Sequence, residues 1–439
     1  MKVRNLMLFG GFFIGISSIN AQDKTNIKLE EAIQLAWTKS NEVSLANTKV
    51  DTKKQELQSA KNNQYPDLKL TGQYLHLTEP TLQLDFDAGS GSFPVPDQML
   101  IGQASLKVPL YSGLKIQNGI KLQDNLFQAE NAMASKTKED VAMRVINYYA
   151  NLYKSQRTIE LIKENQKSAN QRVTDFIALE KNGIIPRNDL LKAQLQVSKL
   201  QLSLDEALNN ETIINYYLVT LLKLPTGTKL VVNESDLINF PKNNIPTDEQ
   251  PALANRKDLE AMQYQEKASQ NHIKMAQSNY YPSVALTGGY AALNVNNVMT
   301  LENAMFLGVG VSYDLSGILK NGTEVKIAKS KALEVKDSEE LLKDNIRVQV
   351  QQAITNYDLA LKQNTVLIQA TEQSVENYRI VKDKYDNGLS DTNDLLDADV
   401  EQLRSKISET ISKVDVIQRY YELLSTTGQL SQTFNLSKI

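Results

Sequence analysis

The absence of two residue types over two long stretches constrains this chain more than any motif. Glycine does not occur between Gly119 and Gly183, nor between Gly322 and Gly388. Proline is missing from 110 to 185 and from 283 to the end. A proline ring clashes with the preceding helical turn and removes a donor, and glycine costs backbone entropy, so helix interiors exclude the one and penalise the other. The stretches predict two long helices, 113–182 and 317–387, ending at Gly183 and Gly388 where a left-handed cap glycine belongs. At about 1.5 Å per residue, ~70 residues reach roughly 100 Å, beyond the needs of an ordinary globular domain.

The two stretches belong to a duplication. Asn-Asp-Leu-Leu at 188–191 recurs at 393–396, an offset of 205, and each copy begins five positions after its glycine. Ala193 and Ala398 follow each tetrapeptide. Tyr65-Pro66 recurs as Tyr281-Pro282, followed by Leu70-Thr71-Gly72 and Leu286-Thr287-Gly288. Several matches in one order at nearly constant offset mark an internal repeat. The segments after the glycines, 188–224 and 393–427, carry apolar residues in steps of three and four, as in Leu190, Ala193, Val197, Leu200 and Leu204. That period of about 3.5 belongs to helices supercoiled on a neighbour.

Each repeat also holds a texture of period two. A first helix spans about 28–63, and strands are expected at 67–78 and 100–110, then at 283–293 and 305–315. Runs of about ten residues match tilted transmembrane strands. Tyr74, Tyr111, Tyr290 and Tyr313 sit near run ends, where interfacial aromatics belong. The segments 79–98 and 294–303 read as outward loops. Soluble hairpins are the alternative. The organisation is then a signal peptide at 1–21, a first repeat at 22–235, a connector at 225–250, a second repeat at 251–430 and a tail at 431–439.

Composition narrows the function classes. Lys2 and Arg4, the apolar run 6–16 and small residues to Ala21 form a secretory signal, too short for a membrane-crossing helix. Removing those two cations takes the formal charge from -3 to -5, against a nucleic-acid binder. With no cysteine and only His76 and His272, thiolate zinc sites, disulfides and histidine-rich metal sites are excluded. Trp37 reads as packing and His76 as a strand or loop residue, neither as a ligand. No cofactor and no catalytic residues are expected: paired carboxylates without histidine or a glycine-rich loop are weak evidence for an enzyme.

Closure sets the assembly. Four strands cannot close a barrel, and open edges in lipid leave backbone groups unsatisfied. Three copies would supply twelve strands around a passage, whereas two would give eight with a filled interior. The expected class is mixed and mainly α: antiparallel coiled-coil helices forming an α-barrel, plus a transmembrane β-barrel completed by trimerisation. The choice of three over four copies is not forced by the residues.

These features resemble the outer membrane efflux proteins, the TolC-type channel-tunnels. The resemblance covers about residues 28–430 and rests on the signal, the duplicated helix–strand–strand–helix plan, the strand-opening Tyr-Pro, Leu-Tyr-Ser-Gly at 110–113 echoed by Leu-Ser-Gly at 315–317, and the Gly-x4-Asn-Asp-Leu-Leu turns. It implies a homotrimer in outer membrane lipid with a long periplasmic extension. A periplasmic adaptor and an inner-membrane transporter would dock at tip turns containing Gly183, Asn188, Gly388 and Asn393. The connector and the tail after Gly428 would form an equatorial belt. The resemblance also places Asp394 and Asp397 at paired entrance aspartates and Tyr385 at a constriction tyrosine whose partner corresponds to Asp189. Ser390 stands where the family often has an arginine, so the closed-state latch is differently built. Asp394 and Asp397 share a helix face at i, i+3. Asp in a first helical turn also stabilises the macrodipole anywhere. An elongated periplasmic coiled-coil adaptor or scaffold is the second reading, and a channel for protein export shares the fold.

Overall fold

The computed structural model of the chain describes residues 24–78, 96–233, 235, 245–296 and 298–434. The signal at 1–21 and most of the expected loop 79–98 lie outside the described residues.

Helices dominate. α1 (Leu29–Lys39) and α2 (Asn41–Asn62) replace the single first helix of the sequence reading, because the chain is extended at Ser40. Then follow α3 (Lys115–Lys181), α4 (Arg187–Leu221), α5 (Gln250–Asn255), α6 (Lys257–Ser278), α7 (Leu315–Asp386), α8 (Thr392–Thr426) and α9 (Leu430–Thr433). α3 runs for 67 residues and α7 for 72 without interruption. α7 begins two residues ahead of the expected 317 and takes Gly317 and Gly322 into its first turns. Asp314 makes this possible: its carboxylate accepts hydrogen bonds from the Ser316 hydroxyl and the Ser316 and Gly317 N–H groups, which hold its carboxyl below the usual range.

Six strands are described: β1 (Lys24–Asn26), β2 (Asp67–His76), β3 (Gln98–Ser112), β4 (Lys229–Val231), β5 (Ser283–Val295) and β6 (Met299–Ser312). β1 and β4 form a small parallel pair that puts part of the connector in a sheet. The other four make one antiparallel sheet in the order β2-β3-β5-β6, so the β3–β5 ladder joins the two repeats. The expected loop 294–303 is a correction. Both strands run on into it: β5 reaches Val295, β6 begins at Met299, and these two residues pair. Its polar residues are ladder members: the Asn294 amide donates to Thr300 Oγ1 across the hairpin at 3.3 Å.

Register sorts the sheet into two unlike faces. One face carries the rows Leu70–Ala104–Tyr290–Met305, Leu68–Leu106–Gly288–Leu307 and Val108–Leu286–Val309. The other carries Lys69–Ser105–Gly289–Phe306 and Thr71–Gln103–Ala291–Ala304. The first set is apolar throughout, and its large members are open: Leu70 is 78% exposed, Met305 80% and Leu307 77%. Gly289 is required where it stands, since a Cβ there would lie 2.7 Å from the Phe306 ring. β2 and β6 are the edges, with no strand on their outer sides among the described residues. Among the described residues no helix is long and apolar enough to cross a membrane.

The chain divides into two compact units, and both draw on both repeats. One gathers Met1–Ser40, Arg144–Lys242 and Ala360–Gln418; the other gathers Asn41–Met143, Asn243–Leu359 and Arg419–Ile439. In the second unit, Ala252 and Leu259 pack on Ile346 and Val350 of α7. Arg256 pairs with Asp258 at 2.6 Å and donates to Gln349 Oε1, while Gly428 at φ +69° lies so close that a Cβ would meet the Arg256 nitrogen at 2.9 Å. Tyr357, Tyr420, Tyr421 and Phe434 form an aromatic chain that ties the tail to α7 and α8. In the first unit, Ile159 and Ile162 of α3 pack on Leu204 of α4 and Ile407 of α8.

Candidate functional site

Both helical hairpins of the first unit end in the same backbone motif. Gly183 has φ +71° and Gly388 φ +72°. Ile184 N–H donates to Leu179 O and Gly183 N–H to Glu180 O; Leu389 and Gly388 repeat the pattern onto Lys384 and Tyr385. This is the six-to-one and five-to-two pairing of a Schellman cap. No atom lies within 4 Å of a Cβ built on either glycine, so the left-handed conformation is the reason for glycine there. After the turns, α4 starts at Pro186 with no side-chain cap, whereas Asp391 Oδ1 accepts from Asp394 N–H at 3.0 Å and caps α8.

The four expected entrance residues divide into three environments. Asp394 and Asp397 are exposed on the first turns of α8. The Ser390 hydroxyl donates to Asp394 Oδ2 at 2.8 Å, a bond within one turn. Asp189 accepts from the Thr392 hydroxyl at 2.9 Å, joining the two hairpins, and lies 3.5 Å from Lys192 Nζ. Tyr385 is half-buried. It stacks on Phe176 at a centroid distance of 6.0 Å and joins the cluster of Phe176, Leu190 and Ala193. The structure therefore unites Tyr385 with the apolar packing of the first hairpin, and Asp189 with Thr392. Asn188 and Asn393 stand in the first turns of α4 and α8, beside their glycines.

Sequence reasoning missed a buried polar layer eleven residues beyond the turns. Asp399 of α8 is 2% exposed. It accepts from Arg172 Nη1 at 2.9 Å, Asn165 Nδ2 at 3.0 Å and Gln196 Nε2 at 3.2 Å. Arg172 also donates to the Tyr378 hydroxyl at 3.1 Å, so α3, α4, α7 and α8 meet in one network. Burial pulls the Arg172 guanidinium down, but the Asp399 carboxylate beside it outweighs this and holds it above its ordinary value. A pattern reading sees only one more acid on a charged helix. The available signal was Asp399 falling beside the apolar Leu395, Leu396 and Ala398 rather than on the wet face.

A long helical hairpin pair with a four-stranded, half-apolar sheet defines the class of outer-membrane channel folds. Residues 250–429 match the model of the outer membrane efflux protein family. That stretch is similar to the family, and the fold of the whole is that of the TolC-type channels. The chain is similar to the outer-membrane channel OprN, with 16% identity, a TM-score of 0.76, and 91% of this chain and 90% of that one covered. It is similar to the Campylobacter jejuni CmeC outer membrane channel, with 15% identity, a TM-score of 0.77, and 97% and 94% covered. The Neisseria gonorrhoeae MtrE outer membrane channel matches with 16% identity, a TM-score of 0.74, and 92% and 89% covered. No curated protein sequence matches the chain.

Proposed function

We propose that this protein is an outer-membrane efflux channel, a passive exit duct whose strands enter lipid. One observation carries the reading: the sheet has an exposed face of apolar rows across its strands while, among the described residues, both its edges are unpaired. In water that face would be a large uncovered patch. In lipid the face is satisfied, but unpaired N–H and C=O groups along β2 and β6 would cost several kcal/mol each. Joining β6 of one copy to β2 of the next removes both edges, and three copies give a twelve-stranded barrel with a passage. The polar and small face then lines the passage. The scaffold alternative leaves the apolar face without a partner.

In this reading Asp394 and Asp397 are the exposed carboxylates of the duct's entrance, three copies forming acidic rings that favour cations. Thr392–Asp189 and Tyr385–Phe176 hold the second hairpin against the first. Gly183, Asn188, Gly388 and Asn393 mark the turns offered to a periplasmic adaptor and, through it, to an inner-membrane transporter that supplies the energy. The duct performs no bond chemistry. The test is fractionation of cells expressing the chain, then cross-linking and planar-bilayer recording of the purified protein. Outer-membrane recovery, a three-copy cross-linked mass and cation-selective conductance are expected. Recovery as a soluble monomer overturns the proposal.

A further inference from the structure

A groove of ≈ 570 Å³ runs between α4 and α8 over α3 in the first unit; the channel reading uses only Asn393 and Asp397 at its turn-side end. Its floor is apolar. Ile162 and Leu200 line its buried side, and Leu195 and Val400, which also line it, are 56% and 49% exposed. Its size falls in the range of small-molecule sites, about 300–1,000 Å³.

The repeat dictates its chemistry. α4 and α8 leave their turns side by side, and two cross-helix bonds, Thr392 to Asp189 and Gln196 to Asp399, keep the same offset of 203 residues. Repeat-equivalent residues therefore face the groove at nearly the same height. Leu195 is matched by Val400, and Lys199 by Arg404. Lys199 and Arg404 are both exposed, and neither has an ion-pair partner among the described residues. One heptad nearer the turns the equivalent pair is Lys192 and Asp397, opposite in sign; among the described lining residues Asp397 is the one carboxylate. Like charges flanking an apolar floor repel one another and gain from an anion between them. A guanidinium offers that anion a planar fork.

We propose that this groove binds a small amphipathic anion. Its head group lies between Lys199 and Arg404, and its apolar body covers Leu195, Val400 and Leu403. A neutral molecule of the same shape leaves the two cations facing each other, and an organic cation adds a third. The duplication supplies the like-charged pair, and the Lys192–Asp397 difference ends the like-charge pairing toward the turns.

The probe is naphthalene-2-sulfonate, followed by equilibrium dialysis against the purified full-length protein. Saturable binding at one site per chain is expected. The variant Lys199→Glu/Arg404→Glu loses at least about tenfold in affinity, since a charged hydrogen-bond partner is worth more than that factor. The milder Lys199→Gln/Arg404→Gln, checked for unchanged helical circular dichroism and oligomer mass, falls between, and 2-naphthalenemethanol binds about tenfold more weakly than the sulfonate. Absence of a saturable site, as when a second copy's helix fills the groove, overturns the proposal. Equal affinity in the charge-reversed variant or for the neutral alcohol overturns it as well.

Discussion

At Gly183 and Gly388 the backbone turns with φ of 71° and 72° and the same pair of cap bonds, yet the side chains around the two turns go to different places. In the first hairpin, Glu180 and Arg187 face each other across their own turn at 3.8 Å. In the second, the repeat-equivalent positions are Tyr385 and Thr392. These reach out of their hairpin, to Phe176 and Asp189 of the first. Asp399 continues the pattern further along, reaching Arg172, Asn165 and Gln196. The first hairpin is closed on itself and receives; the second is built to lean on it. A duplicated backbone thus became asymmetric through a few side chains without altering either turn.

The largest test of this asymmetry is Asp399→Ala. It strands the Arg172 guanidinium in a buried place and should cost about 3–5 kcal/mol, read as a fall in the denaturant midpoint of the helical circular dichroism. Arg172→Met/Asp399→Leu should recover most of the loss, because the penalty lies in the unpaired charge. If the single variant costs under ~1 kcal/mol, the layer is more hydrated than its 2% exposure indicates and the comparison weakens.

Next comes Thr392→Ala, which removes a hydroxyl bound to a carboxylate. About 1.5–3 kcal/mol is expected, together with larger single-channel conductance as the second hairpin loosens. Arg187→Thr, which copies the second turn's residue into the first, should leave conductance unchanged.

Gly183→Ala and Gly388→Ala should cost the same, about 1–2 kcal/mol each, because the strain is that of the left-handed backbone alone. Unequal costs would place the asymmetry in the backbone and contradict the assignment to side chains. Gly428→Ala should exceed both, since its Cβ also meets backbone at 2.9 Å. Smallest is Arg187→Ala. Its guanidinium is 77% exposed and its partner is 3.8 Å away, so a change within about 0.5 kcal/mol is expected by calorimetry.

The elements legible in the sequence were those governed by backbone physics. α3 and α7 announce themselves by what they exclude, and both turns by their glycines. β2, β3, β5 and β6 show period two. The hairpin between β5 and β6 was misread because Asn294, Thr300 and Asn303 look like loop residues, whereas Asn294 and Thr300 pair across the ladder and Asn303 sits at the irregularity in β6 with φ +59°. β1 and β4 are three residues each, below any periodic signal. At the candidate site, Asp394 and Asp397 were named through the family resemblance, spacing giving only their shared helix face, and both are exposed. Thr392 and Asp399 were not named, because their roles are contacts between chain segments about 200 residues apart, and local pattern carries no information about such partners.

The crosswise units bear on how the chain comes to be folded. The first unit still needs Ala360–Gln418, and the second needs Arg419–Ile439. Domains ordinarily fold as units while synthesis proceeds, the N-terminal one first. Here no such intermediate is available: a nascent chain that has finished its first repeat owns part of each unit and the whole of neither. Contacts of high sequence separation fold slowly and leave apolar surface waiting. The same interleaving that ties the two repeats together leaves the first unit incomplete until Ala360–Gln418 has been made and the second until Arg419–Ile439 has, so neither can fold ahead of the other repeat.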